Sequence, residues 1–136
     1  MNNISSPRTD DAGIEQEIQA KGLTAPRVTT ADIEANIMEE HYFLVGDVVS
    51  KGGVTSMSGP GLRPQGMPGV HQSLDLLTFC VLVLRNGFTV TGESACASPE
   101  NFDAEIGRKV ARANAIGKCW PLLGYALKSS LAGAQQ

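Results

Sequence analysis

Two apolar runs separated by a short polar turn form the clearest pattern in this chain. The first run spans Leu76 to Leu84, and its bulky and β-branched residues suit a pleated strand. The second run spans Phe88 to Glu93, so Asn86-Gly87 lies at the centre of the connection. Asn-Gly between apolar runs is typical of a type I′ turn, in which both central residues need a positive φ. The pattern therefore predicts a β-hairpin with a two-residue turn.

A two-residue turn also predicts which side chains of the hairpin share a face. Leu84 then lies opposite Thr89, and Val83 lies opposite Val90. The face opposite Leu84 is the predicted core and carries four apolar residues: Val81, Val83, Phe88 and Val90. The leucine face is mixed, with Leu82 and Leu84 beside the threonines of the second strand.

The mixed face of the hairpin needs a cover of its own if the C-terminal helices pack on the valine face. An exposed leucine patch is unusual on a monomer, and self-association is its common remedy. The sequence therefore predicts a homo-oligomer, with Leu82, Leu84 and Trp120 as candidate interface residues. The alternative is that an N-terminal helix and a long loop cover this face within one chain.

A helix and a short strand are predicted before the hairpin. Thr29 or Thr30 can cap a helix that runs from about Ala31 to Glu40. The aromatic and branched residues of 41–45 then read as a strand.

An apolar stripe at helical spacing follows the hairpin. Ser98 before Pro99 is typical of a helix start. Apolar residues then recur at steps of three and four: Phe102, Ile106, Val110, Ala113, Ile116 and Trp120. Pro121 interrupts this stripe and predicts either a kinked continuation or a second, shorter helix.

Polar residues, glycine and proline set the predicted limits of the domain. Residues 1–26 are polar and form a predicted flexible arm, in which Ile14 and Ile18 permit a short, marginal helix. Residues 46–73 are rich in Gly and Pro and form a predicted loop, either a mobile insertion or a lid. The chain is thus a single α+β domain over 27–133. Its small antiparallel sheet consists of the hairpin plus one further strand, with an N-terminal helix and one or two C-terminal helices packed on it.

Charge and cysteine content argue against several classes of protein. The net charge is −3, whereas proteins that bind a phosphate backbone usually carry a basic face. No run of about eighteen apolar residues offers a membrane span. The three cysteines are odd in number and lack C-x-x-C spacing, which argues against a disulfide framework or a zinc site. We expect a soluble protein of a reducing cytoplasm, without a membrane or nucleic-acid partner and without a metal or other cofactor.

The segment between the hairpin and the predicted helix start is the best candidate for chemistry. A helix N-terminus binds anions and lowers the pKa of a nearby thiol, which would suit Cys96 with His41 as a distant base. The alternative is that Cys96 is buried in the turn and that the nearby arginines lie on a solvated face. The sequence contains no recognisable catalytic set. The candidate ligand-binding residues are Glu93, Ser94, Cys96, Arg108 and Arg112.

Two stretches of the chain, RNGFTVTGESACASPENFDAEIG and the later WPLLGYAL, form a combined signature. They resemble a family of small tailed-bacteriophage proteins, of unassigned biochemical role, that is named for phage gene product 49 and gene 66. The resemblance covers roughly Thr30 to Leu131. Leu123 stands where the family's pattern has an acid, so any role of that acid is absent here. The resemblance implies a phage origin and expression in the host bacterial cytoplasm, and it brings no catalytic residues.

Three classes of function fit these features. The favoured one is a non-catalytic phage accessory protein that binds a host protein or sequesters a small nucleotide-type signal, in host takeover or counter-defence. The first alternative is a virion or assembly component whose leucine face pairs between subunits. The second alternative is a small Cys-dependent enzyme.

Overall fold

A three-stranded antiparallel sheet with helices before and after it forms the part of the chain that this computed structural model describes, residues 11–57 and 70–134. Its helices are α1 (Asp11–Ala20), α2 (Thr30–Ala35), α3 (Val45–Ser50) and α4 (Ala104–Ala134). Its strands are β1 (Ile37–Leu44), β2 (Leu77–Leu84) and β3 (Thr89–Ala95), and β2 lies between the other two. Short 3-10 turns occupy Gln72–Leu76 and Pro99–Asn101. The predicted α+β class is therefore confirmed.

Helix α2 ends earlier than predicted, and both of its ends carry capping hydrogen bonds. At its start, Thr29 Oγ1 accepts a hydrogen bond from the Asp32 N–H (3.1 Å), and Asp32 Oδ2 accepts one from the Thr29 N–H (2.9 Å). At its end, Arg85 of the hairpin turn donates from Nε to the Ala35 carbonyl (2.6 Å) and from its backbone N–H to the Asn36 carbonyl (3.0 Å). Residues 37–40, predicted as helix, belong to β1 instead.

The hairpin of β2 and β3 is present as predicted, but its register differs by one residue from the predicted one. The Leu84 N–H donates to the Phe88 carbonyl (2.8 Å), and the Gly87 N–H donates to the Leu84 carbonyl (2.8 Å). The loop therefore contains three residues, 85–87, of which Gly87 alone has a positive φ, at 89°. This is a type I turn followed by a left-handed glycine, the three-residue alternative to a type I′ turn.

The shift of one residue moves the side chains of β3 to the face opposite the predicted one. Val90 now lies opposite Leu82 rather than Val83. The buried face carries residues that are at most 5% exposed: Thr78, Cys80, Leu82, Leu84, Val90 and Ser94. Apart from Val90, the predicted core is therefore wrong. Val81 and Val83 are only partly buried, and Phe88 is 52% exposed.

The two leucines predicted at a subunit interface belong to the core. Leu82 and Leu84 are 0% and 4% exposed, because α4 packs across this face of the sheet. The exposed leucine patch that motivated self-association is therefore not formed, and neither leucine is available to a second subunit. Oligomerisation itself stays a prediction.

Helix α4 contacts the sheet through small residues rather than through the predicted stripe of large ones. Its buried positions recur every four residues: Gly107, Ala111, Ala115 and Cys119. A Cβ atom added at Gly92 of β3 would overlap the backbone of Ala111 and Ala115, so strand and helix meet backbone to backbone. Of the predicted stripe, Ile106 is 40% exposed, and its C-terminal members are only partly buried. A stripe of large side chains would hold the helix farther from the sheet.

Asp103, rather than Ser98, caps the N-terminus of α4. Its Oδ1 accepts a hydrogen bond from the Ile106 N–H (2.9 Å). The Ser98-Pro99 signal begins the 3-10 turn instead. Pro121 lies inside α4, which continues past it as one helix of 31 residues, so the chain has a single C-terminal helix over the described range 104–134.

The predicted arm and the predicted loop both contain helices, and the one in the arm includes Ile14 and Ile18, where the sequence permits a short helix. The helix α1 lies within the arm 1–26, and both carboxylate oxygens of Glu15 accept from the Arg27 guanidinium at 2.8 Å. Most of α3 and the first two residues of the 3-10 turn at Gln72–Leu76 lie within the loop 46–73, whose residues 58–69 are outside the described residues. The flexibility of the arm, the role of the loop and the domain limits stay predictions.

Replacing Gly92 with alanine should destabilise the fold, because the new methyl group meets backbone atoms that no side-chain rotation can move away. We expect the free energy of unfolding, measured by denaturant titration, to fall by about 1–3 kcal/mol. Gly124→Ala is the control, since a Cβ at Gly124 meets nothing within 4 Å and alanine favours a helix interior. Equal losses in the two variants would contradict the backbone contact between α4 and β3.

The hairpin loop should discriminate between substitutions at Gly87. Its φ of 89° opposes a β-branched residue, so Gly87→Val should cost about 1–2 kcal/mol of stability. Gly87→Asn should cost less, because asparagine tolerates a left-handed backbone. The measurement is the melting temperature by circular dichroism, and a valine variant as stable as the asparagine variant would refute this loop geometry.

Candidate functional site

The five candidate ligand-binding residues do not converge on one site. Glu93 is exposed and lies opposite Phe79 on the face of the sheet away from α4. Ser94 and Cys96 are 4% and 8% exposed, on the side of the sheet that α4 covers. Arg108 and Arg112 project from α4, one turn apart. The sheet therefore lies between the Glu93 side chain and the other four residues.

Cys96 and His41 also lie on opposite faces of the sheet, so the structure does not bring them together as a nucleophile and its base. His41 pairs with Val81 in the sheet, whereas Cys96 follows the buried positions of β3. The Cys96 thiol donates to the Ser98 carbonyl (3.2 Å) in the turn that leads to α4. Cys96 is therefore a buried turn residue, as the alternative interpretation expects.

Arg112 joins three elements through one guanidinium group. Its Nη2 and Nη1 lie 2.6 and 3.0 Å from the two carboxylate oxygens of Glu34 on α2. Its Nε lies 3.1 Å from Oε1 of Glu40 on β1, and the same oxygen accepts from the Tyr42 hydroxyl (2.9 Å). We call these four residues the Arg112 clamp. The sequence offers no sign of it, because Arg112 is 78 and 72 residues from its two acidic partners.

The charges of the Arg112 clamp are stabilised by their neighbours. Hydrogen bonds from Arg112 hold the pKa of Glu40 below its ordinary value, and hydrogen bonds to Glu34 raise the pKa of Arg112. Burial, together with the bond to Glu40, raises the pKa of Tyr42. Burial also raises the pKa of the nearby Cys80 thiol. At neutral pH these shifts favour a carboxylate, a guanidinium, a phenol and a thiol, so the clamp suits a structural role better than proton transfer.

Trp120 packs against the edge of the core and lines two shallow grooves. One groove, of about 410 Å³, lies between α1 and α4, and the other, of about 210 Å³, lies between α2 and α4. The indole N–H is buried and has no hydrogen-bond partner among the described residues. Trp120 therefore serves as a packing residue in one chain, and its predicted role at an interface stays untested.

The face of the sheet away from α4 is the most distinctive surface of the described residues. Successive residues of β2 alternate between partly buried and fully buried, because α4 covers one face and leaves the other accessible. On the accessible side, both β3 and β1 present exposed residues. We call this surface the open face; its residues are Glu39, His41, Phe43, Leu77, Phe79, Val81, Val83, Thr89, Thr91 and Glu93.

The open face has an apolar centre and a polar rim. The rings of Phe43 and Phe79 stack with their centroids 5.5 Å apart, and Phe43 is 37% exposed. On the β1 side, His41 Nε2 lies 2.8 Å from Glu39 Oε1. On the β3 side the rim consists of threonines and Glu93. An apolar centre within a polar rim is the usual anatomy of a protein interface.

Comparison with known proteins assigns the chain to a family. A sequence model of the Phage protein (N4 Gp49/phage Sf6 gene 66) family matches residues 28–131. The chain belongs to this family. The match confirms the resemblance found in the sequence, and it covers the sheet, the Arg112 clamp and nearly all of α4. No curated protein and no solved structure matches the chain.

Within residues 11–57 and 70–134, no three His, Cys, Asp or Glu side chains lie together in the way that a metal site needs. The helices of the same ranges include none that combines the length and the apolar character required to cross a membrane.

Removal of the arginine from the clamp should destabilise the phage protein by about 1 kcal/mol, since partly exposed ion pairs contribute little individually. We expect Arg112→Gln to lower the midpoint of urea unfolding. Arg108→Gln is the matched control, because Arg108 lies one turn earlier on α4 and forms no ion pair with the described residues. The clamp would have no structural role if both variants unfolded at the midpoint of the native protein.

The clamp should also make stability depend on pH. The folded pKa of Glu40 is lowered, so its contribution is complete at neutral pH and is lost as the pH falls from the ordinary glutamate value, about 4.3, through the folded one. Acidification from neutral pH to about pH 3 should therefore destabilise the native protein more than the Arg112→Gln variant. Parallel stability curves for the two proteins would exclude this linkage.

Proposed function

We propose that this phage protein is a non-catalytic accessory protein, which acts in the infected bacterial cytoplasm by binding a host protein through the open face. Its role would be host takeover or counter-defence. The observation that carries the proposal is the contrast between the two faces of one sheet. Leu82 is completely buried under α4, whereas its neighbour Val81 faces outward and is only partly buried.

The open face offers apolar side chains that can gain further burial on association. Complete burial of a valine, leucine or phenylalanine side chain stabilises by about 1.5–3 kcal/mol relative to full exposure. The central residues Phe79, Val81 and Val83 are partly buried already, so each retains only a fraction of this gain. Together with the stacked Phe43 they form a contiguous apolar centre.

The shape of the open face favours a macromolecule over a small nucleotide-type ligand. Small-molecule sites are concave and enclose most of the ligand, whereas three neighbouring strands of an open sheet present a broad surface. One of the two candidate arginines that would hold a phosphate is also engaged elsewhere, since Arg112 binds Glu34 and Glu40. We therefore favour a host protein over a nucleotide-type signal as the ligand of the open face.

Affinity capture with matched variants tests the proposal. A tagged native chain, a Val81→Lys variant and a Tyr125→Lys variant are expressed in host cells, and the captured proteins are identified by mass spectrometry. Val81 is at the centre of the open face, whereas Tyr125 is a 78% exposed apolar residue on α4. We expect one host protein to be captured by the native chain and by the Tyr125→Lys variant. The Val81→Lys variant should capture at least about tenfold less of it, and a tenfold change in affinity corresponds to about 1.4 kcal/mol.

Two results would contradict the proposal. The first is a host partner held equally by all three proteins, because the open face would then have no part in binding. The second is the recovery of the protein in stoichiometric amounts from purified virions, which would favour the virion or assembly role. Circular dichroism of each variant establishes that loss of capture does not come from loss of folding.

A further inference from the structure

We infer that the occupant of the open face is a basic amphipathic helix of the partner protein. Its apolar side would lie along β2, and its lysine or arginine side chains would flank it towards Glu39 and Glu93. This inference rests on the proposed function and specifies the chemistry of the partner.

The charges on the open face are the first argument. Carboxylates stand on both sides of its apolar centre, Glu39 on β1 and Glu93 on β3. The only basic side chain among the residues of this face is His41, which is already within 2.8 Å of Glu39. Threonines complete the β3 side and add no charge. Positive side chains at both edges of a partner would therefore meet complementary charge.

The dimensions of the open face are the second argument. Neighbouring strands lie about 4.8 Å apart, so β1 and β3 are about 10 Å from each other across β2. A helix with its side chains is about 10–12 Å wide and presents an apolar stripe to the surface on which it lies. One helix thus spans the apolar centre and places its polar edges over the two outer strands. The covered face of the same sheet already carries one helix, α4, which packs on β3 and β2.

Two other occupants fit the described residues less well. A second copy of this chain would bring two further carboxylates and no lysine or arginine of the open face into the same interface. An added strand at the edge of β3 would compete with α4, since the Glu93 carbonyl accepts a hydrogen bond from Asn114 Nδ2 (2.8 Å). A basic helix avoids both obstacles.

Fluorescence anisotropy with two designed peptides tests the inference on the full chain. Both peptides are helical, about 18 residues long, and share one leucine stripe; one carries lysines beside the stripe and its twin carries glutamates. We expect the lysine peptide to bind the native chain at least about tenfold more tightly than the glutamate peptide. Val81→Lys should abolish binding, and added salt should weaken it.

A pair of charge variants separates the open face from the overall acidity of the chain. Glu39→Gln with Glu93→Gln should reduce the preference for the lysine peptide to about twofold or less. Glu17→Gln with Glu105→Gln removes the same net charge from exposed helical positions and should leave the preference intact. The inference is overturned if both double variants behave alike, if the two peptides bind equally, or if neither binds. A dimer that Val81→Lys converts to a monomer also overturns it, because a second copy would then occupy the face.

The failure of this inference can be distinguished from the failure of the proposed function. If Val81→Lys releases a captured host protein but the lysine peptide does not bind, the face binds a host protein of another chemistry. If the lysine peptide binds as expected but capture does not depend on Val81, the proposed function is wrong and the recognition of basic helices stands by itself.

Discussion

The rest of the structure depends on the backbone-to-backbone contact between α4 and β3. Gly92 has no side chain, so Ala111 and Ala115 can approach the strand until no methyl group fits between them. The helix contributes small residues to the core, and the strands contribute the larger ones, Leu82 and Leu84 among them. This division decides which face of the sheet is buried. The same division leaves the valines of β2 on the face that we propose for binding.

Local sequence was sufficient to predict the hairpin but not its register. Asn86-Gly87 fits a two-residue turn as well as a three-residue turn. The two differ in whether Arg85 belongs to the loop and in whether Asn86 shares the positive φ of Gly87. A difference of one residue then exchanges the two faces of β3. The stripe on α4 was missed for another reason. Hydrophobic periodicity gives weight to large apolar residues. This helix is positioned instead by glycine and alanine, whose small side chains allow it to lie close to β3.

The candidate site was predictable only in part. The membership of the phage family was evident from two stretches of sequence, and the family match confirms it over residues 28–131. The polar residues that looked chemical in the sequence are divided between the two faces of the sheet or paired in the Arg112 clamp. The clamp unites Glu34, Glu40 and Arg112 across more than seventy residues of chain, which no local pattern reveals. The open face was hidden because its valines were assigned to the core.

The order of the elements along the chain has a consequence for synthesis. The three strands leave the ribosome before α4, whose 31 residues supply the cover for the buried face. At about 5–20 residues per second, about 2–8 s separate the completed hairpin from the completed helix. During that interval the nascent sheet exposes both of its faces. The face that carries Leu82 and Leu84 stays exposed only until α4 packs on it. A chaperone that recognises apolar strands would find both faces in the nascent chain, and the open one alone in the mature protein.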